Sequence, residues 1–118
     1  MAHVLIVEDD PDVREMMETY LRFIGYSTAC ASNGREGLAR LAERTPCVVV
    51  LDLMMPVMSG WQFREAQLAN PATAQIPVVC VSAVFDRATV TERLGIPCLG
   101  KPLDFDDLSR LVGQACSR

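Results

Sequence analysis

An open parallel α/β sheet with helices on both faces is the fold class this sequence predicts, and three observations carry it. Apolar runs of four to five residues alternate with longer segments of helical periodicity. The runs are rich in Val, Ile and Leu without polar alternation, as parallel strands covered on both faces are. The chain has 118 residues of which 50% are apolar, enough for one continuous core.

The elements follow in order. The first strand is expected over His3 to Val7. Asp10-Pro11 opens a helix, because proline suits a first turn whose N–H has no partner, and Val13, Met16, Met17, Tyr20, Leu21 and Ile24 form its apolar stripe up to Gly25. Ser27 to Ala31 is the second strand. Asn33-Gly34 starts a second helix carrying Leu38 and Leu41, and Pro46 stops it. Val48 to Leu51 is the third strand, and Gly60 to Ala69 the third helix, closed by Asn70-Pro71. The fourth strand spans Pro77 to Val81, and Asp86 caps a short helix from Arg87 to Leu94 that Gly95 ends. Pro97 to Gly100 is the fifth strand, and Asp104 caps the last helix, with Asp107 at the positive end of its dipole. The order is βαβαβαβαβα, with no repeat, linker or second domain, so residues 1–118 read as one domain.

Composition excludes several function classes. Fifteen acidic side chains against 11 Lys plus Arg give a net charge of −4, and no basic run exists to follow a phosphate backbone, so direct nucleic-acid binding is not expected. Five cysteines (Cys30, Cys47, Cys80, Cys98, Cys116) lie far apart with no C-x-x-C pair, which fits neither a zinc knuckle nor a disulfide framework. They read as small apolar residues in a reducing cytosol, Cys80 most clearly, with Cys116 the most exposed thiol. Met-Ala-His runs straight into a strand without the charged and longer apolar stretches of a secretion signal, and no apolar run nears the ~20 residues of a membrane helix. A soluble, cytoplasmic protein is expected.

Parallel strands bring their carboxyl ends to one edge, where ligands bind at the point the winding reverses. The first strand is followed by Glu8, Asp9 and Asp10, the third by Asp52, the fourth by Ser82 and the fifth by Lys101. The second ends in Ala31 and Ser32, as suits an outer strand. Gathered carboxylates repel by up to about 4 kcal/mol per pair at 4 Å in an effective dielectric of 20. A positive charge should sit among them. Lys101 offers one, and two or three acid oxygens are also what a Mg2+ ion takes. Zinc is disfavoured, because the lone histidine, His3, starts a strand far from the acids and no thiolate joins them. A carboxylate beside a divalent ion and a lysine can attack phosphorus, since both cations offset charge on the phosphoryl oxygens. Asp52 fits that role, standing alone before a Met-Met-Pro loop, while Glu8 and Asp9 are placed as metal ligands and Ser82 as a donor to a phosphoryl oxygen. Each residue has a plainer reading alone: Asp52 and Ser82 as turn residues, Asp10 as the first helix cap, Lys101 as a solvated surface charge. Their weight is collective. Met54, Met55 and Met58 read as packing rather than a soft metal site, and Trp61 as packing at the start of the third helix.

Glu8-Asp9, Asp52 within Leu-Asp-Leu-Met-Met-Pro-Val-Met-Ser-Gly, Ser82-Ala83 and Lys101-Pro102 together resemble the receiver domain of two-component response regulators, of the chemotaxis-regulator type, over essentially the whole chain. The resemblance implies a flavodoxin-like (βα)5 sheet in the order 2-1-3-4-5, with Asp52 as phosphoacceptor. It implies Glu8 and Asp9 as acidic metal ligands beside Asp52, Met54 as a backbone-carbonyl ligand, Ser82 as the switching hydroxyl and Lys101 as the partner of the phosphoryl group. Mg2+ is the implied cofactor, with Mn2+ able to replace it, and the Lys101-Pro102 bond is implied to be cis. The implied partners are a sensor histidine kinase or histidine phosphotransfer protein and a downstream protein.

Three departures from the family pattern matter. The segment from Ser82 to Lys101 is compact, which suggests a short or distorted fourth helix on the face many receivers use for output. Cys98 stands where an aromatic ring often does, three residues before the lysine, so signalling is expected to run through the Ser82–Asp86 loop and Phe85. Met54 and Val84, two residues beyond the acceptor and the hydroxyl residue, are apolar and cannot orient a water, which predicts slow self-dephosphorylation.

The chain reads as a phosphoacceptor signalling module that shifts between two conformations and turns over no external substrate. Met1 directly before the first strand predicts that no kinase precedes it, and the end near Cys116 predicts either a single-domain regulator or the first part of a longer one. A receiver-fold interaction module working without phosphorylation is the alternative. A Mg2+-dependent aspartyl phosphatase would want a second acid where Met54 stands.

Overall fold

The computed structural model describes residues 2–83 and 87–117. Its elements are β1 (His3–Val7), α1 (Pro11–Phe23), β2 (Ser27–Ala31), α2 (Gly34–Glu43), β3 (Val48–Asp52), α3 (Gly60–Ala69), β4 (Val78–Ser82), α4 (Arg87–Leu94), β5 (Cys98–Gly100) and α5 (Phe105–Cys116). All strand pairs are parallel and the order is β2-β1-β3-β4-β5, as expected. The winding therefore reverses between β1 and β3, and the crevice that such a reversal opens lies where Glu8, Asp9 and Asp52 stand.

Alternation along the inner strands builds two apolar layers. On one face Leu5, Val7, Leu51 and Cys80 pack against Leu41 of α2, Phe63 of α3 and Val90 of α4. On the other, Val4, Ile6, Val50, Val79 and Val81 meet Met17 and Leu21 of α1 and Leu108 and Val112 of α5. β1, β3 and β4 are buried along their whole length, while edge strand β2 is mostly half-buried. Each large aliphatic side chain buried this way is worth roughly 1.5–3 kcal/mol, so the sheet is a rigid base for its carboxyl edge.

Local signals fix the helix starts. The Asp10 carboxylate accepts from the N–H groups of Asp12 and Val13, Asn33 from Glu36, and Asp104 from Asp106 and Asp107. At α3 a full capping box forms: Ser59 Oγ accepts from the Gln62 N–H and the Gln62 side chain accepts from the Ser59 N–H. Gln67, fully buried, donates from its amide to the carbonyls of Thr73 and Ile76 at 3.0 and 2.9 Å and so holds the irregular segment before β4.

Four expectations need correction or limits. β3 and β4 run one residue further than expected, so Asp52 and Ser82 end their strands; Pro77 and Pro97 lie outside, having no N–H to give, although their carbonyls accept from Val49 and Cys80 at 2.9 Å. Met16 and Ile24 of the α1 stripe are 55% and 38% exposed, because only Met17 and Leu21 point squarely at the sheet. Cys47 and Cys116 form a disulfide with Cα atoms 5.0 Å apart, so Cys116 is not an exposed thiol and the expectation of five reduced cysteines fails for this pair. The pairing arises because the start of β3 and the end of α5 meet in the same apolar layer, 69 residues apart in sequence. Val84, Phe85 and Asp86, and with them the expected cap of the fourth helix and the expected signalling loop, lie outside the described residues, as does Met1. α4 itself spans Arg87–Leu94 as expected, and no helix among the described residues is long and apolar enough to cross a membrane.

Candidate functional site at the carboxyl edge of the sheet

Register decides what meets at this edge. Val7 pairs with Leu51, Asp52 with Val81 and Ser82 with Gly100, so Glu8, Asp52, Ser82 and Lys101 occupy successive positions across four neighbouring strands. Oxygens of Glu8, Asp9 and Asp52 lie within 4.8 Å of one another. Lys101 reaches across from beyond β5, with its Nζ 2.5 Å from Glu8 Oε1 and 3.6 Å from Asp52 Oδ1. Glu8, Asp52 and Ser82 are buried and Asp9 is the most open of the acids. The Lys101 stem runs beside a cavity of about 110 Å³ lined by Val13, Met16, Met17, Pro102, Leu103 and Phe105, apolar wall that suits its methylene groups. The Lys101-Pro102 bond is cis.

Backbone contacts hold these side chains in place. The Asp10 N–H donates to Glu8 Oε2 at 3.2 Å, and the Lys101 N–H donates to the Ser82 carbonyl at 3.0 Å. Two supports were not singled out from sequence. Arg14, one turn into α1, donates from Nη1 to the Glu8 carbonyl at 2.8 Å, which clamps the end of β1. Gly60 lets α3 begin directly against β3: a Cβ there would strike the Asp52 carbonyl oxygen and lie 2.7 Å from Leu53 Cα. A glycine behind Ser59 in helix-start position was the available signal for Gly60; Arg14 had none beyond its place on the helix.

Charge in this cluster is unbalanced. Burial pushes the Asp52 carboxyl up to about 8, the Glu8 hydrogen bond and charge adding to the rise while Lys101 opposes it. For Asp9 burial works upward, but hydrogen bonding to Asp52 and Glu8 outweighs it and leaves the group below the usual range. Burial works downward on Lys101, yet contact with Glu8 and the charges of Asp52, Glu8 and Asp9 win, and its ammonium is held more firmly than usual. Glu8 Oε1, fully buried, has the Lys101 ammonium as its ion-pair partner. When all three carboxyls are ionised they outnumber the one lysine by two negative charges, and every donor is an oxygen. That donor set fits a small divalent cation such as Mg2+ and does not fit a soft metal.

The expected site residues thus fall into two groups. Glu8, Asp9, Asp52 and Lys101 form one cluster, and Ser82 stands at the adjoining strand end, joined to it through the Lys101 backbone. Met54 lies two residues beyond Asp52 with its side chain 63% exposed, so of the three methionines only Met55 and Met58 pack against the core. Trp61 is half-buried at the start of α3 under the guanidinium of Arg93, 4.5 Å from the ring centre. His3 lies at the opposite edge, bonded through Nδ1 to Ser27 Oγ at 3.0 Å.

Residues 4–112 match the response regulator receiver domain. The chain is 33% identical over 95% of its length to the regulatory protein AtoC of Escherichia coli K12, covering 24% of that protein. It is 35% identical over 98% of its length to the probable transcriptional regulator ycf27 of Porphyra purpurea, covering 47% of it. The chain thus spans between about a quarter and a half of these relatives. The signal receiver domain of a DNA binding response regulator from Colwellia psychrerythraea 34H superposes with a TM-score of 0.88 at 31% identity, each chain covering 100% of the other.

Proposed function

This chain belongs to the response regulator receiver domain family, and from that premise we propose that it is a phosphoacceptor switch in which Asp52 takes a phosphoryl group from a phosphohistidine on a sensor histidine kinase or histidine phosphotransfer protein. Receiver domains as a class receive phosphoryl groups from histidine kinases and bind Mg2+ at an acidic pocket. In this chain residues 1–118 form one such domain, working in the cytoplasm. The observation that supports the assignment is the gathering of three carboxylates within 4.8 Å beside a single ammonium.

An Asp52 oxygen attacks phosphorus as the N–P bond of the phosphohistidine breaks, leaving an acyl phosphate on Asp52 and the electron pair on the donor imidazole. Glu8, Asp9, Asp52 and the Met54 carbonyl would hold Mg2+, which when bound offsets negative charge on the phosphoryl oxygens. Lys101, already between Glu8 and Asp52, turns to the incoming group and supplies a second positive charge. Ser82 donates its hydroxyl to a phosphoryl oxygen, which ties the end of β4 to the modified Asp52 and biases the chain toward a second conformation with different affinity for a downstream protein. The chain catalyses only its own phosphorylation and dephosphorylation.

Incubation with a small acyl phosphate, with and without Mg2+, followed by intact mass measurement tests this reading. One added phosphoryl group in the presence of Mg2+, absent from Asp52→Asn, is expected. Phosphate on that variant would reassign the nucleophile, and no phosphorylation under any condition would favour an interaction module that works without it.

A further inference from the structure

Cys80 and Cys98 are directly paired residues of neighbouring parallel strands, β4 and β5. Both side chains belong to the same apolar layer, and the Cys98 thiol lies 3.2 Å from the Cys80 sulfur as a hydrogen-bond donor. Neither takes part in the Cys47–Cys116 bridge, and both are free thiols. Adjacent strands run about 4.7–4.9 Å apart, inside the ~4.4–6.8 Å span of Cα separations that a disulfide bridges, so the strand spacing allows these sulfurs to close from 3.2 Å to bonding distance. Access is unequal: Cys80 is fully buried and Cys98 is half-buried.

We propose that Cys80 and Cys98 form an oxidisable dithiol, a modification site that a peroxide converts to a β4–β5 disulfide. Cys98, the accessible partner, attacks as its thiolate on one oxygen of hydrogen peroxide; the O–O bond breaks, a sulfenic acid forms and hydroxide leaves. The Cys80 sulfur then attacks the Cys98 sulfur, and the S–O bond breaks. The departing hydroxide leaves as water with the Cys80 proton. Two thiols and one hydrogen peroxide thus give one disulfide and two waters. Burial pushes the Cys80 thiol up, with Cys98 adding to the rise, so Cys80 keeps its proton until the sulfenic acid forms beside it. Cys30, the remaining free cysteine, has Glu18 Oε2 rather than a sulfur at its thiol, 3.0 Å away, and has no thiol with which to condense. The new bond would join the strand that ends in Ser82 to the strand that leads into Lys101. It stands independently of the phosphoacceptor reading.

The test is exposure of the reduced full chain to hydrogen peroxide, followed by trypsin digestion without reductant and mass spectrometry. Cleavage at Arg87 and Arg93 places the two cysteines on different peptides, so a bond between them appears as one linked species, lighter than the sum of its parts by two hydrogens and separated by reductant. That species is expected in the parent chain and absent from Cys98→Ser, in which Cys80 should remain an unmodified thiol. Cys98 accumulating with one or two added oxygens while Cys80 stays free would overturn the proposal, as would recovery of both thiols unmodified after Cys30 has been oxidised. The parent digest alone separates these results, so the test holds even where the variant fails to fold.

Discussion

Val57 carries a backbone conformation that its side chain opposes, and relieving it should stabilise the protein. Its φ is +68°, the only non-glycine positive value among the described residues, and the Met58 N–H donates to the Pro56 carbonyl at 2.7 Å. That bond closes a three-residue turn around Val57, a rare and strained form when φ is positive. The loop is held from outside, by Gly34 donating to the Met58 carbonyl and Gly60 donating to the Leu53 carbonyl, each at 2.9 Å. A residue so constrained costs of order 1–3 kcal/mol; taking about 2, Val57→Gly removes that cost. Against it stand about 0.5–1 kcal/mol of extra backbone entropy lost by glycine and about 0.4 kcal/mol of lost burial, small because Val57 is 73% exposed. A net gain of about 1 kcal/mol remains, or a rise in Tm of about 4 °C for a domain of this size. Urea and thermal unfolding of the parent, Val57→Gly, Val57→Ala and Val57→Pro measure it. Alanine keeps the Cβ and should gain less than half as much, while proline, fixed near φ −65°, should destabilise. A glycine variant that melts at or below the parent would refute the strain argument.

Further outcomes follow from other positions. Gly60→Ala should destabilise by about 2 kcal/mol, since the new Cβ meets backbone rather than a movable side chain, and should weaken Mg2+ binding by displacing Asp52; urea midpoints and calorimetric titration read the two effects. Burial, with help from Arg44, holds the His3 imidazole below its usual range, so below about pH 6.5 the unfolded chain binds the proton that the native chain resists. Stability should therefore fall as pH drops from about 7 to 5, and this component of the fall should be absent from His3→Gln in urea titrations at each pH. Asp9→Asn replaces one carboxylate of the acidic cluster by a neutral amide and should weaken Mg2+ binding at least about tenfold, equivalent to about 1.4 kcal/mol; unchanged affinity in calorimetry would show that the Asp9 charge does not contribute to the site. In the phosphorylated chain, Met54→Asn should lose phosphate faster than the parent, because an exposed amide can orient water and the exposed thioether cannot.

What sequence alone determined here is everything that nearest neighbours along the chain encode. Asp10 and Asp104 cap the helices they were expected to cap, Asn33 caps the helix that Asn33-Gly34 was expected to start, and the buried runs from Val4 to Val7 and from Val48 to Leu51 lie in the inner strands, because capping and periodicity act within a few residues. The convergence of Glu8, Asp9, Asp52 and Lys101 was legible too, since parallel strands must deliver their ends to one edge. Tertiary structure decided which groups touch once there: Lys101 lies closer to Glu8 than to Asp52, Arg14 clamps the Glu8 carbonyl, and Gly60 admits α3 against Asp52. It also decided that Cys47 bonds to Cys116 while Cys80 faces Cys98. These outcomes depend on strand register and on where a helix end lands, and register comes from the packing of both apolar layers together, which no short stretch of sequence contains.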